Sequence, residues 1–326
     1  MVRVLFIRHG MTKSNLRAIR AVIQVAKGNV RMEDVMEYEE ELMKDEDESE
    51  WSGDTMLSDI GEMEAESLGL YWEEVLRKKL EASADMLFFV SPMQRCLQTI
   101  DPLMKRLGGL SNGTVHFNIF ESPGLCHKKD QEFVKGTIQP LLEKGEVDRA
   151  RKLQSSHEFR PCGLSQAEIL KQFPWVKAFA GFPGDGQPWY TGSNGLQGYQ
   201  SKEATDARVQ TFVQFLYKLS EELPETDTCV FVSHGDFLAL AIGQLMGTPK
   251  LRFSLLNTSV SSLKIARNAV TVEYLNRVDH LDFARRMKLY ESMGLRQGAK
   301  RRVDIGKLMS GYKFHDTLYG KFLSKL

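Results

Sequence analysis

The chain has 326 residues, 42% hydrophobic and 26% charged, an ordinary composition for a globular protein and enough length for one large domain with insertions or for two domains. Its 43 basic residues balance its 43 acidic ones, so no overall field draws it to nucleic acid or to a membrane surface. Four widely spaced cysteines (Cys96, Cys126, Cys162, Cys229) make no CxxC and no Cys/His cluster, which argues against a disulfide framework or structural zinc.

The first predicted element is a strand, VRVLFI at 2–7, that runs straight into Arg8, His9 and Gly10. A guanidinium at the mouth of a core strand is costly to desolvate unless something pairs with it, and the next acidic residue along the chain is Glu33. The partner is therefore either a distant carboxylate or a ligand. An acidic run follows at 37–54, with Lys44 as its single base, and reads as solvated surface. The second strand, Met86 to Val90, leads into a helix for which Ser91 is the expected N-cap and Pro92 the first residue. Arg95 lies one helical turn in, within reach of the strand end.

A further apolar run, VHFNIFESPGLCHKK at 115–129, contains one acid, Glu121, just before Pro123 and Gly124. Lys128 and Lys129 behind it read as a solvated pair that also has the reach to meet the distal part of an anion. The segment beyond is rich in Gly and Pro; its GxG-like runs at 181–198 follow no strand of a βαβ unit and are loops, not a dinucleotide fingerprint. For Trp175, Trp189 and Tyr190, stacking on a substrate ring and core packing both stay open. A third strand at 229–232 ends in Ser233, His234 and Gly235, and its following helix is closed by Gly247. After His280 the tail is basic, with KRR at 300–302 and Lys313, Lys321 and Lys325 beyond.

Apolar strands alternating with helices predict an α/β three-layer sandwich: a mainly parallel sheet with helices on both faces, plus inserted lid segments. Ligands of such sheets bind outside the carboxyl ends of the strands, where Arg8, His9, Arg95 and His234 converge. Two guanidiniums offer planar donor forks that match phosphate oxygens, and helix N-termini add oriented N–H groups. A neutral imidazole there attacks phosphorus to form a covalent phosphohistidine. His9 is the expected nucleophile, since the glycine after it allows close approach. Glu121 is the expected general acid for the leaving oxygen. A metal held by His9, His234 and Glu121 is disfavoured, because the two arginines repel a third cation.

These residues also carry a resemblance. RHGMTKSN (8–15), LSDIGEMEA (57–65), SPMQRCLQT (91–99) and SHGDFLALA (233–241) resemble, in order, the motifs of the histidine phosphatase superfamily in its phosphoglycerate-mutase-like branch. LLNTSVSSL (255–263) and LNRVDHL (275–281) resemble that branch's late strands and closing motif. The resemblance implies His9 as the phosphorylated nucleophile and Glu121 as proton donor. Arg8, Arg95 and His234 would form the phosphate pocket, with Asn15 and Thr12 adding contacts to the phosphoryl group. It implies neither metal nor organic cofactor.

The histidine phosphatase domain is expected over 1–281, with insertions at about 16–56 and 125–205, the latter serving as a lid that sets substrate choice. Residues 282–326 form a basic C-terminal extension with no counterpart. Mutase relatives follow the acid with ERHYG-like residues and carry an arginine pair near the lid. Here Ser122-Pro123-Gly124-Leu125 follows Glu121, and no adjacent arginines lie between Arg95 and His234. Phosphomonoester hydrolysis is thus favoured over mutase-type transfer or a non-catalytic phosphate-binding scaffold. The expected substrate is a phosphorylated small molecule, with a phosphoprotein as the second option. His280 is expected to be structural, and His116, His127, His157 and His315 ordinary. No apolar run approaches the ~18 residues of a membrane span, and a cleavable leader would have to include the first strand itself. The expected location is cytoplasmic.

Overall fold

The structure, a computed structural model, describes residues 1–35, 38, 54–80, 86–108, 112–116, 133–156, 162–180, 188–190, 202–249, 253–267 and 269–281. Outside them lie Glu121, Lys128 and Lys129, the acidic run apart from residues 38 and 54, the segments 181–187 and 191–201, His127, His157 and His315, and the tail.

The first strand, β1 (Val2–Arg8), alternates two apolar faces and takes Arg8 as its last residue. Helices α1 (Lys13–Ala26) and α2 (Asp59–Leu80) follow, then β2 (Met86–Val90), α3 (Gln94–Leu107) and β3 (Asn112–His116). A single π-type turn (Val134–Ile138) leads to α4 (Gln139–Glu143) and α5 (Val147–Ser155). Then come β4 (Cys162–Ser165), α6 (Gln166–Gln172), β5 (Val176–Ala180) and β6 (Pro188–Tyr190). The chain goes on through α7 (Lys202–Glu222), β7 (Thr228–Ser233), α8 (Gly235–Leu245), β8 (Val260–Ala266) and β9 (Ala269–Arg277).

Seven strands form one sheet in the order β5-β3-β2-β7-β1-β8-β9. The five from β5 to β1 are parallel, and β8 and β9 add an antiparallel edge. This is the three-layer α/β architecture the strand-helix alternation predicts. On one face Leu5 and Ile7 pack with Leu68 and Trp72 of α2 and Leu97, Ile100 and Met104 of α3. On the other Val4 and Phe6 pack with Phe212 and Leu216 of α7 and Phe237 and Ile242 of α8. Phe231 of β7 is enclosed by the rings of Phe89 (4.7 Å), Phe212 (5.2 Å) and Phe6 (6.0 Å). Truncating such a ring to Ala costs roughly 3–5 kcal/mol in transfer and cavity terms.

Three expectations are corrected. Helix α3 begins at Gln94 with Met93 as its N-cap, so neither Ser91 nor Pro92 has the predicted place, and Arg95 is the second helical residue. Asp54, placed with the solvated acids, is 1% exposed, and its carboxylate accepts from Gln94 N at 2.7 Å, supplying the anion that Met93 does not bring to this helix start. The segment at 125–205, expected as an insertion, supplies a strand of the main sheet: β5 pairs in parallel with β3 at its edge. In front of that strand Trp175 is buried in the core, with its indole N–H on Asp101 at 3.0 Å, which settles it as a packing residue.

Candidate active site

Strands β1 and β7 are neighbours in parallel register, with Arg8 opposite Ser233. Two strands that each end in an imidazole thus deliver His9 and His234 side by side, their ring centroids 5.3 Å apart at 57°. His9 N donates to Ser233 O at 2.9 Å, which continues the ladder one residue past β1. Both rings are buried.

The hydrogen bonds fix the tautomers. His9 Nδ1 lies 2.7 Å from Gly10 O, and only an N–H can bond there, so the neutral ring carries its proton on Nδ1 and a lone pair on Nε2. For His234, Arg95 Nε donates to Nδ1 at 3.3 Å, which puts the proton on Nε2, where Ser91 Oγ accepts at 3.1 Å. Cys96 Sγ lies 3.8 Å from the same nitrogen. Burial, then the charges of Arg95 and Arg8, hold His9 well below the ordinary imidazole range, with the Gly10 hydrogen bond opposing them. His234 is lowered well below that range by burial, Arg95, His9 and Arg8.

Arg8 is held by its backbone surroundings. One terminal nitrogen donates to Leu255 O at 2.5 Å, while Nε has no hydrogen-bond partner among the described residues. Gly235 makes room for this guanidinium: a Cβ there would sit 3.0 Å from Arg8 Nε. No carboxylate of the described residues forms an ion pair with Arg8. A distant carboxylate as the partner of Arg8 therefore finds no support among the described residues.

Thr12 and Asn15 meet as a capping box at the start of α1. Asn15 N donates to Thr12 Oγ1 at 3.0 Å, and Thr12 N donates to Asn15 Oδ1 at 3.3 Å. The Asn15 carbonyl also faces Asn257 Nδ2 at 3.5 Å, which leaves its NH2 as the group to offer an anion. Thr12, 1% exposed, has its hydroxyl engaged in capping and against Ser14 Oγ at 2.9 Å. Arg8, His9, Asn15, Arg95 and His234 are thus gathered around the ends of β1 and β7; Thr12 stands behind them as a helix cap. Glu121 falls outside the described residues.

Two further residues act here that sequence reasoning passed over. Asn257, 0% exposed, donates from Nδ2 to His9 O at 3.0 Å, and Ser91 orients His234. The signal for Asn257 was an amide interrupting the apolar run before β8. For Ser91 it was a hydroxyl at a strand end, misread as a cap. His280, buried, meets Thr258 Oγ1 at 3.2 Å, next to Asn257, a structural place as expected.

Residues 137–278 match the family model of the histidine phosphatase superfamily (branch 1). That span contains His234 and Asn257, while Arg8, His9 and Arg95 lie before it. No curated protein matches the chain significantly. Among solved structures, a phosphoserine phosphatase mutant from Entamoeba histolytica, in complex with phosphoserine, is 18% identical at a TM-score of 0.43, with 86% of this chain and 100% of that chain covered. A putative alpha-ribazole-5'-P phosphatase from Escherichia coli is 16% identical at a TM-score of 0.40, covering 85% of this chain and 98% of that one. A phosphoglycerate mutase from Bacillus anthracis is 12% identical at a TM-score of 0.42, covering 86% and 94%. The RHG, SPMQR and SHG motifs meet at one sheet edge, and the matched span runs from the π-type turn to β9, so over these residues the chain is similar to the histidine phosphatase superfamily.

Proposed function

We propose that the chain hydrolyses phosphomonoesters through a phosphohistidine at His9, without a metal. The observation that carries the reading is the state of His9: buried, neutral, its proton fixed on Nδ1, beside Arg95 and an Arg8 that pairs with no carboxylate of the described residues.

In the first step the Nε2 lone pair of His9 attacks phosphorus and the ester P–O bond breaks. Glu121 gives its proton to the departing oxygen. In the second step water attacks the phosphohistidine, Glu121 takes the water proton, and inorganic phosphate leaves with His9 restored. Charge collects on the phosphoryl oxygens throughout. Arg8, Arg95 and the Asn15 amide are the donors assigned to them, with His234, whose Nε2–H is taken by Ser91, holding Arg95 Nε through Nδ1, because fixed donors in a water-poor site stabilise such charge without reorganising. Thr12 supports Asn15 by capping α1 rather than by direct contact.

A phosphorylated small molecule is the substrate class we favour, since the neighbours' own names specify phosphoserine and alpha-ribazole-5'-P; a phosphoprotein is the second option. The catalytic unit is assigned to residues 1–281, with the tail outside it. Two buried cysteines in no disulfide, Cys96 and Cys229, suit a reducing, cytoplasmic setting, and among the described residues no helix is long and apolar enough to cross a membrane. The test is phosphate release from a panel of phosphomonoesters with EDTA present and His9→Ala as control. Release by the wild type alone supports the reading; equal release by both proteins, or none by either, ends it.

A further inference from the structure

Both peptide groups that flank Gly10 are tied down at both ends. In the His9–Gly10 peptide, Gly10 N donates to Thr99 Oγ1 at 2.8 Å, and His9 O accepts from Asn257 Nδ2 at 3.0 Å and Thr258 N at 3.3 Å. In the Gly10–Met11 peptide, Gly10 O accepts from the His9 ring at 2.7 Å, and Met11 N donates to Glu64 Oε2 at 2.9 Å. A trans peptide is planar, with its C=O and N–H pointing opposite ways. A bond that fixes the N–H therefore fixes where the carbonyl aims.

Glu64 is suited to that task. It is 3% exposed and sits in the second turn of α2, whose start is pressed against Met11. A Cβ at Gly61 would lie 2.0 Å from Met11 O, so this approach requires glycine. Ser58 donates to Met11 O from both its N–H and its hydroxyl, each at 2.9 Å. The N-terminal part of α2 thus grips Met11 by its carbonyl, and Glu64 grips it by its N–H. A carboxylate buried only for packing would be replaceable by an apolar side chain at little cost, whereas this one ends on the peptide that faces the His9 ring.

We infer that Glu64 is a positioning residue for His9, acting through the Gly10–Met11 peptide to keep the imidazole proton on Nδ1 and the lone pair on Nε2. The inference rests on the reading of His9 as the nucleophile. It adds a link from α2 to the reacting nitrogen that does not touch the substrate.

Two conservative variants separate reach from charge. Glu64→Gln keeps an acceptor at the same distance, while Glu64→Asp keeps the carboxylate but withdraws it by one methylene. The readouts are the ring 15N shifts of His9, which report the tautomer, together with kcat and KM. Glu64→Gln is expected to keep the Nδ1–H tautomer and to hold kcat within ~3-fold. Glu64→Asp is expected to give mixed tautomers and to lower kcat by ~10–100-fold at nearly unchanged KM, the scale of a misplaced reacting group. Should Glu64→Asp fail to fold, Glu64→Met, of similar volume and without an acceptor, takes its place with the same expectation. The inference is overturned if the shortened or apolar variant keeps the Nδ1–H tautomer, or if Glu64→Gln loses it while Glu64→Asp retains it. The tautomer readout needs no turnover, so it decides on Glu64 even if His9→Ala were to show that phosphoryl transfer does not use His9.

Discussion

The two ends of β1 carry arginines in opposite circumstances. Arg3, near the start, donates from two nitrogens to the Glu273 carboxylate on β9 at 2.9 and 3.0 Å. Ser262 Oγ and Lys264 Nζ join the same carboxylate at 2.7 and 3.3 Å. The Arg3 bond, Ser262 and Lys264 hold Glu273 down at about 2, against the cost of burial. Arg8, at the other end, has a backbone carbonyl and a space cleared by Gly235, with no carboxylate of the described residues in an ion pair. The first arginine is complete within the fold. The second has no carboxylate partner among the described residues, and the strand brings it next to two imidazoles held neutral. A protein's own carboxylate marks a charge used for structure; backbone-only support is what the proposed phosphate-binding role of Arg8 needs.

The sharpest break of this contrast is at the reacting nitrogen. His9→Ala is expected to lower phosphate release by several orders of magnitude, on the order of 10³-fold or more, because the covalent route is removed. Arg8→Ala comes next, with kcat/KM falling on the order of 10²–10³-fold, as when a fixed donor to developing charge is deleted. Thermal unfolding should move little in that variant. If Arg8→Ala left kcat/KM intact and lowered the unfolding temperature instead, the two arginines would be alike and the contrast would fail.

The pH profile sharpens it further. In the proposed mechanism His9 attacks unprotonated, and burial with the two arginines lowers its pKa, so kcat/KM should lose activity on the acid side only below about 6.5, the unperturbed imidazole value. An acid limb centred above that value would mean an imidazole stabilised as a cation, contrary to its surroundings. The alkaline limb belongs to Glu121 in this reading, and Glu121→Gln should slow esters with poor leaving groups while sparing nitrophenyl phosphate.

The smallest effect is at the other end of the strand. Glu273 is depressed from 4.5 to about 2, so its contribution to stability is complete above 4.5 and is lost as the pH falls through about 2. With both partners partly exposed, Glu273→Gln should cost roughly 1–2 kcal/mol at neutral pH, less after acidification, and change kcat/KM by less than ~2-fold. Denaturant unfolding at several pH values checks the sign.

Much of this contrast was legible in the sequence for a physical reason. A strand buried on both faces must be apolar, so an Arg-His pair ending VLFI, and a lone histidine ending CVFV, stand out against the run before them. Arg95 and the glycine after each histidine followed from short-range spacing, and Asn15 from the resemblance that RHGMTKSN carries. What escaped were contacts whose partners lie far apart in the chain. Asp54 capping α3, Asn257 holding the His9 carbonyl and Ser91 turned to His234 rather than to a helix end depend on the packing of distant elements, which residue type and local spacing do not encode. The placement of β5 in the main sheet escaped for the same reason, since its burial pattern is that of an edge and carries little alternation.

The register of β1 has a consequence for how the molecule is made. Arg3 pairs with Thr228 and Arg8 with Ser233, so β1 lies between two strands that are synthesised well after it. Until β7 and β8 emerge, an apolar strand has neither neighbour, and its closure is a slow, non-local step. Chaperone engagement should therefore concentrate on this segment during translation. Nascent chains that stop short of β7 would carry His9 without His234 beside it, which couples the assembly of the proposed site to the pairing of β1.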